Sequence, residues 1–501
     1  MLLTVTVFVP LAGALLLALV PTARADLARL LGLGASLVAL ALAVALAARF
    51  RPGEPGFQLG QQVDWVRSFG VQYKVGVDGI SLPLVLLTAA LTVLAVGASW
   101  RMEGRVRTYL AQVLVLETAM LGVFSSLDLL LFYVFWEAVL VPGYFLIGGF
   151  GGQRRVYAAV KFFVYTLAGG LLMLVGIIAL FYLHAHASGT ASFDYDTLRG
   201  FAKAPVTQRW LFLAFFAAFA VKTPLVPFHT WLPDAYTEAP ATTSALLAGV
   251  MSKLGAYGFL RMALPLFPDA ARTFQPLLLT LAVVGILYCA LIAAVQRDFK
   301  TLVAYSSVSH LGFITLGIFS LTLQGAQGAV FYMVAHGLII GALFLLAGML
   351  EEHRGTRRID EVGGLQAAAP RMAGVMLLLT LAGLALPGLV GFVGEFLVLL
   401  GTFLTHQAYA VVALLGVILG AVYLLWAYQR MWQGAPRSPQ DRAVADLSGR
   451  EWAVLAPLVA LIVVLGLFPG PVLRRVEPSA QRTVQQATAP AGQRPAAAPR
   501  P

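Results

Sequence analysis

The chain has 501 residues, of which 59% are hydrophobic and only 11% charged, where soluble domains carry about 25% charged residues. That composition excludes a soluble globular protein. The formal net charge of +11 is scattered over loops as membrane topology signals are, so a nucleic-acid-binding surface is excluded too. The lone Cys289 lies in an apolar run, which rules out disulfides and cysteine-ligated iron–sulfur clusters.

A crossing of the hydrocarbon needs about 20 apolar residues. Runs of that kind begin near residues 2, 27, 78, 108, 128, 157, 209, 241, 272, 301, 324, 370, 408 and 452. The predicted fold is therefore an all-α polytopic membrane protein with about fourteen transmembrane helices. The first run ends in Ala23-Arg24-Ala25, similar to a signal-peptidase site. No basic residue precedes it and it is long enough to span, so it reads as the first helix. The connections at about 50–77 and 184–208 are too short to fold alone. With the N-terminus outside, the arginines at 101–107, 154–155, 297 and 354–358 fall in cytoplasmic loops. The Pro-, Ala-, Gln- and Arg-rich segment from 477 reads as a disordered tail.

Within this apolar chain the titratable residues stand out. Three of the six lysines, Lys161, Lys222 and Lys253, fall inside apolar runs, whereas the arginines stay in loops, span ends and the tail. Arginine keeps its proton in a protein, while a buried lysine can release it. Glu117, Glu137, Glu395, His310 and His336 also lie within spans. Each mid-bilayer charge costs about 2.5–3.5 kcal/mol on insertion scales. A single Glu–Lys pair could serve only to hold helices together. A set in which every member titrates points instead to a proton path, since helix glue is cheaper from Ser, Thr or Asn.

Proline and glycine locate the interruptions. In AFAVKTPLVPFHTWLPDA (218–235), Pro224 and Pro227 follow Lys222 and must open the helix. Leu386-Pro387-Gly388-Leu389 precedes Glu395 in the same way. Non-helical backbone at such depth survives only beside protein or water, so two broken helices border hydrated cavities. Glu137 to Lys222 and His310 to Glu395 are both 85 residues apart, with an offset of 173, and Lys161 and His336 are 175 apart. That recurrence predicts two inverted five-helix repeats. The division is 1–107 (helices 1–3), 108–265 (first repeat), 266–435 (second repeat), 436–476 (last helix) and 477–501 (tail). Ser306 with His310, Tyr332 with His336, and Lys253 with Tyr257 are each four apart and share a helix face.

Other chemistries find no support. Gly148-Gly149-Phe150-Gly151-Gly152 follows a helix rather than a strand and is no dinucleotide loop. No Walker, haem-attachment or catalytic-triad pattern occurs. His184 and His186 are expected in a loop, where a metal is the weaker reading, and no metal site is assigned.

FYVFWEAVLVPGYFLIGGFGG (132–152), KTPLVPFHTWLPDAYTEAP (222–240), KLGAYGFLR (253–261) and DFKTLVAYSSVSHLGF (298–313) resemble the antiporter-like membrane-arm subunits of bacterial respiratory complex I, NADH–quinone oxidoreductase, and its M type in particular. The resemblance covers roughly 75–435. It implies a proton-translocating subunit in the bacterial plasma membrane, with Glu137 and Lys222 as the entry pair and Lys253 as the central relay. It also implies His310 and His336 beside that relay, Glu395 as the exit acid, and Glu117 and Lys161 in support. No cofactor is implied in this chain. NADH, FMN, iron–sulfur clusters and quinone would belong to partner subunits, and the neighbours would be the L and N types. Lysine is usual in those sister types at the position of Glu395. Two departures, Tyr236 for a common histidine and Gly169-Gly170 for Gly-Ser, are expected to touch no key charge. Subunits of multisubunit Na+/H+ antiporters, or of membrane-bound hydrogenases, share this pattern and are the alternatives.

Overall fold

The computed structural model describes residues 1–199, 201 and 204–489. Eleven of its helices are long and apolar enough to cross a membrane. They are Leu2–Leu19, Ala25–Arg49, Ser81–Arg101, Val106–Ser125, Leu129–Phe150, Arg155–Ser188, Pro268–Ala294, Phe299–Phe319, Leu323–Arg354, Gln407–Trp432 and Gly449–Leu467. The other expected crossings are two interrupted helices and the helical stretch 241–266. Pro205–Lys222 is followed by Trp231–Glu238, and Pro370–Gly383 by Val390–Thr405. Leu323–Arg354 is the central pillar. Its most apolar window is buried on every side, as an all-round apolar helix must be. Arg155–Ser188 lies at the periphery and exposes Val160, Val164, Val175 and Tyr182.

The second and third crossings are joined by an antiparallel hairpin, Gln58–Val66 with Val71–Val77. It is tied down by polar contacts at one end of the bundle. Gln72 N donates to Asp128 Oδ2 at 3.1 Å, and Lys74 pairs with Asp194 and Asp196.

Caps and breaks show how the two five-helix halves correspond. Asp128 and Asp298 both accept from the first turn of the helix they precede, at Leu130 N and Leu131 N and at Thr301 N. They are 170 residues apart. The long helices of the two halves end at Gly189 and Gly355, both left-handed as helix-terminating glycines commonly are, and 166 apart. At the interruptions Leu225 N donates to Ala220 O and Phe228 N to Leu225 O, while Leu386 N donates to Leu381 O and Leu389 N to Leu386 O. The breaks are thus alike at an offset of 161. The register slides from 170 to 161, because the helices repeat and the loops between them differ in length. This corrects the pairing drawn from a constant spacing of 173. Glu137 corresponds to Ser307 and not to His310, Lys222 to Gly383, and Glu395 to Asp234. Nor do Lys161 and His336 correspond, since Lys161 lies roughly two turns into its helix and His336 nearly four.

Two boundaries also change. The tail expected from 477 is helical to 488: Gly470–Thr488 packs against the bundle. Its buried residues Val476, Ser479, Ala480, Thr483 and Ala487 follow helical spacing along one face. Ser479 Oγ accepts from Gly79 N at 3.1 Å. The polar opposite face and Pro478 gave this amphipathic helix the composition of a tail. Residues 490–501 of the expected tail lie outside the described residues. His184 and His186 sit in the last turns of Arg155–Ser188 instead of a loop, with His184 Nδ1 3.1 Å from Thr190 O.

Docking of the terminal helix makes a direct prediction. Ala480→Asp buries a charge in the helix–bundle seam and is expected to open 470–488 to limited proteolysis in the assembled complex. Glu477→Ala, on the exposed face, is expected to leave it protected. Equal cleavage of parent and both variants would show a free tail.

Candidate functional site

The first interruption follows from its sequence. Pro224 and Pro227 have no N–H to continue the ladder, so the helix stops at Lys222 and carbonyls are freed. One of them, Val221 O, is claimed by Trp231 Nε1 at 2.9 Å. Lys222 is left 1% exposed, its Nζ 5.1 Å from the centroid of the Trp136 ring. Glu137 comes from Leu129–Phe150, one residue after that tryptophan. No salt bridge closes between them: Glu137 Oε1, Oε2 and Lys222 Nζ are all buried without a hydrogen-bond partner. Two opposite charges stand near each other with their partners still to be chosen.

Gly170 makes this arrangement possible. A Cβ at that position would collide with the Glu137 carboxylate. The departure from Gly-Ser therefore does touch a key charge, contrary to the sequence expectation. Tyr236, the other departure, is fully buried and donates to Leu247 O at 2.9 Å.

Lys253 lies in a stretch where the helix widens. Leu247–Met251 and Phe259–Ala263 are π-helical, a form found as short bulges and frequently at functional sites. The ammonium donates to Ala248 O, lies 3.3 Å from Ser252 Oγ, and reaches His336 Nδ1 at 2.7 Å. At Gly255 the same helix presses on Thr223, just past Lys222, leaving no space for a Cβ.

From His336 the polar groups continue. Its ring lies 5.6 Å from that of His310, centroid to centroid. His310 Nδ1 is 2.6 Å from Tyr332 Oη, and Tyr332 donates to Glu395 Oε2 at 2.9 Å. A tyrosine has one hydroxyl proton. If it points at Glu395, the hydroxyl oxygen must accept from His310 Nδ1–H, which fixes the tautomer. Gly394 lets the two helices meet there, because a Cβ would press on the Tyr332 backbone. Ser306, His310, Tyr332 and His336 line a cavity of about 10 Å³, near the minimum for one water. Tyr423 donates to Ser306 Oγ at 3.0 Å beside it.

Of the eight residues singled out by sequence, Lys253, His336, His310 and Glu395 thus form one buried polar row, and Glu137 and Lys222 form an open pair at the first break. Glu117 is fully buried with both oxygens unpartnered, outside either group. Lys161 is one-fifth exposed and bonds Asp234 at 2.8 Å, near the end of its helix and not deep in a span. Tyr257 turns away from Lys253 to donate to Phe124 O. Glu395 stands a full turn beyond its break, unlike Lys222, which ends the helix before its own.

The sequence reading passed over several groups. Asp234 and Tyr423 sat in motifs without contrast to their neighbours. Arg261, read as a span end, is buried against Asp78 and lies 4.7 Å from the Phe57 centroid. Lys300 is buried and donates to Ala239 O. His229, 5% exposed in the first break with Nδ1 unpartnered, carried a signal in its place between Pro227 and Trp231. Among the described residues no group of three His, Cys, Asp or Glu is arranged to hold a metal.

Comparison with known proteins agrees with this geometry. Residues 126–420 match the family model described as NADH:quinone oxidoreductase/Mrp antiporter, TM. The chain is 43% identical to NADH-quinone oxidoreductase subunit M of Mycobacterium tuberculosis (strain ATCC 25618 / H37Rv), over 96% of this chain and 94% of that one. It is 44% identical to subunit M of Rhodobacter capsulatus, over 97% and 96%. Among solved structures it matches a chain of respiratory complex I from Thermus thermophilus with TM-score 0.89, 36% identity and coverage of 97% and 100%. A chain of the Mrp complex from Dietzia sp. DQ12-45-1b shares the fold at TM-score 0.85 and 22% identity, over 97% and 98%. With full-length relatives at this identity, the chain belongs to the NADH-quinone oxidoreductase subunit M family, the antiporter-like, proton-translocating subunits of the complex I membrane arm.

Proposed function

We propose that protons cross this subunit through its own buried row, entering at Glu137–Lys222, passing Lys253 and His336, and leaving by His310, Tyr332 and Glu395. The observation that carries this reading is the directed contact of His310, Tyr332 and Glu395, three titratable groups joined in the apolar core. Redox chemistry in partner subunits would bias the entry pair. When Glu137 turns towards Lys222 the ammonium is held; when it turns away, the lysine sits beside an aromatic face with its charge unpaired and passes its proton on. Glu117 and Lys161, with Asp234, would set the field around the entry. NADH, FMN, iron–sulfur clusters and quinone would act in those partners, and L- and N-type subunits would flank this one. The Na+/H+ antiporter alternative rests on a likeness below 25% identity, which speaks to fold alone.

Three experiments follow, each read as proton uptake into vesicles normalised to assembled complex. Lys222→Arg keeps the charge but not the release, so it is expected to be about as defective as Lys222→Ala; rescue by arginine would reduce Lys222 to a structural partner. Tyr332→Phe keeps the ring and removes the hydroxyl between His310 and Glu395. It is expected to slow pumping roughly tenfold or more, at the scale of a lost proton-transfer group, whereas Glu395→Asp retains most of it and Glu395→Ala does not. Parent-like rates in both Tyr332→Phe and Glu395→Ala would take this row off the path. Gly170→Ala, which carries no charge, is expected to impair pumping severalfold by displacing the Glu137 carboxylate. An unchanged rate there would mean that the position of Glu137 is unimportant.

A further inference from the structure

The first and second helices turn at residues 20–24, and the third and fourth at 102–105, on the same end of the bundle as the loop at 151–154. Between these two turns lies a cavity of about 130 Å³ walled by Thr22, Arg24, Gly104, Arg105, Arg107 and Thr108. That is space for roughly four waters at their liquid volume, comparable to a phosphate group. Thr22, Arg24, Arg105 and Thr108 are exposed at its mouth, while Ala28 and Val106 close it off behind.

Its donors are held in place and left open. Arg107 Nη1 is anchored on Val20 O at 2.8 Å, and Arg105 Nη2 on Gly149 O at 2.6 Å with its guanidinium 4.9 Å from the Phe150 ring centroid, so each guanidinium is held at the cavity wall by one hydrogen bond. The Arg24 side chain makes no hydrogen bond or ion pair among the described residues. The helices Ala25–Arg49 and Val106–Ser125 both begin at this cavity, and neither has a side-chain cap. Val106 N–H is already taken by Gly104 O, which leaves the first-turn N–H groups of Asp26, Leu27, Arg107 and Thr108 to meet an anion. Two acids lie near. Asp26 is taken by Arg29 at 2.7 Å, and Glu103 is exposed on the adjoining turn. Three arginines outweigh them.

We propose that this cavity binds a phosphate group, that of an anionic phospholipid. The ends of membrane-crossing helices place it at headgroup depth, and Leu16, Leu19, Leu27 and Leu30 are exposed beside it where acyl chains would lie. Bound there, a headgroup would tie the turn at 20–24 to the turn at 102–105, adding to the Arg107–Val20 and Arg29–Met102 hydrogen bonds at this end of the packed helices.

The test uses the whole assembled complex in nanodiscs with a photoactivatable phosphatidylglycerol. Labelled peptides are expected from 14–30 and 101–110, suppressed by unlabelled phosphatidylglycerol but not by phosphatidylcholine. Arg24→Gln removes no hydrogen bond or ion pair among the described residues and is expected to leave assembly and pumping unchanged. It should lower labelling roughly fivefold, the effect of one interfacial arginine. Suppression by inorganic phosphate as strong as that by phosphatidylglycerol would assign the site to soluble phosphate and overturn the lipid. Labelling that is absent from these peptides, indifferent to Arg24→Gln, or suppressed equally by phosphatidylcholine would overturn the site itself.

Discussion

Hydrocarbon offers no water to a polar group, and every unsatisfied donor, acceptor or charge placed in it costs several kcal/mol. The rest of this structure follows from how that debt is met. Ordinary helices meet it internally. The two that open must find other partners, and they do so against protein: the Trp231 indole takes a freed carbonyl, and the Leu225 and Leu386 amides reach back five residues to close each gap. Open backbone brings polar surface into the core, and a titratable side chain stands near each opening. Lys222 ends the first half of one broken helix, and Glu395 lies a turn into the second half of the other.

That economy also explains what could be read from the sequence. A lysine among phenylalanines, or a glutamate after Gly391 and Gly394, is conspicuous because the background is uniform. Helix number was legible because hydrophobic length is imposed by the membrane. Lys253, His336, His310 and Glu395 could be grouped by residue type alone, before any distance was known.

What could not be read depends on register, rotation and space. The spacing of 173 joined residues that the caps and breaks place out of step, since loop lengths leave no mark on hydropathy. Gly170 looked like a neutral variation until its missing side chain proved to be where the Glu137 carboxylate rests. Arg261 passed for an interfacial cation because its partner, Asp78, lies 183 residues away in sequence. The 470–488 helix was concealed by its own amphipathy, its average being polar while one stripe is buried. In each case the deciding contact is long-range.

Tyr332 carries one proton between two neighbours, and that has a kinetic meaning. When the hydroxyl proton passes to Glu395 and another arrives from His310, the O–H bond that results points back the way it came. Before a second proton can follow, the hydroxyl must swing round its C–O axis, Glu395 must empty, and His310 must be reloaded. On the proposed path the tyrosine would therefore act as a turnstile, admitting one proton per rotation. A file of waters must also turn over after each proton, but each water can turn about any axis; on the proposed path a phenol held by its ring would have a single axis for that reset.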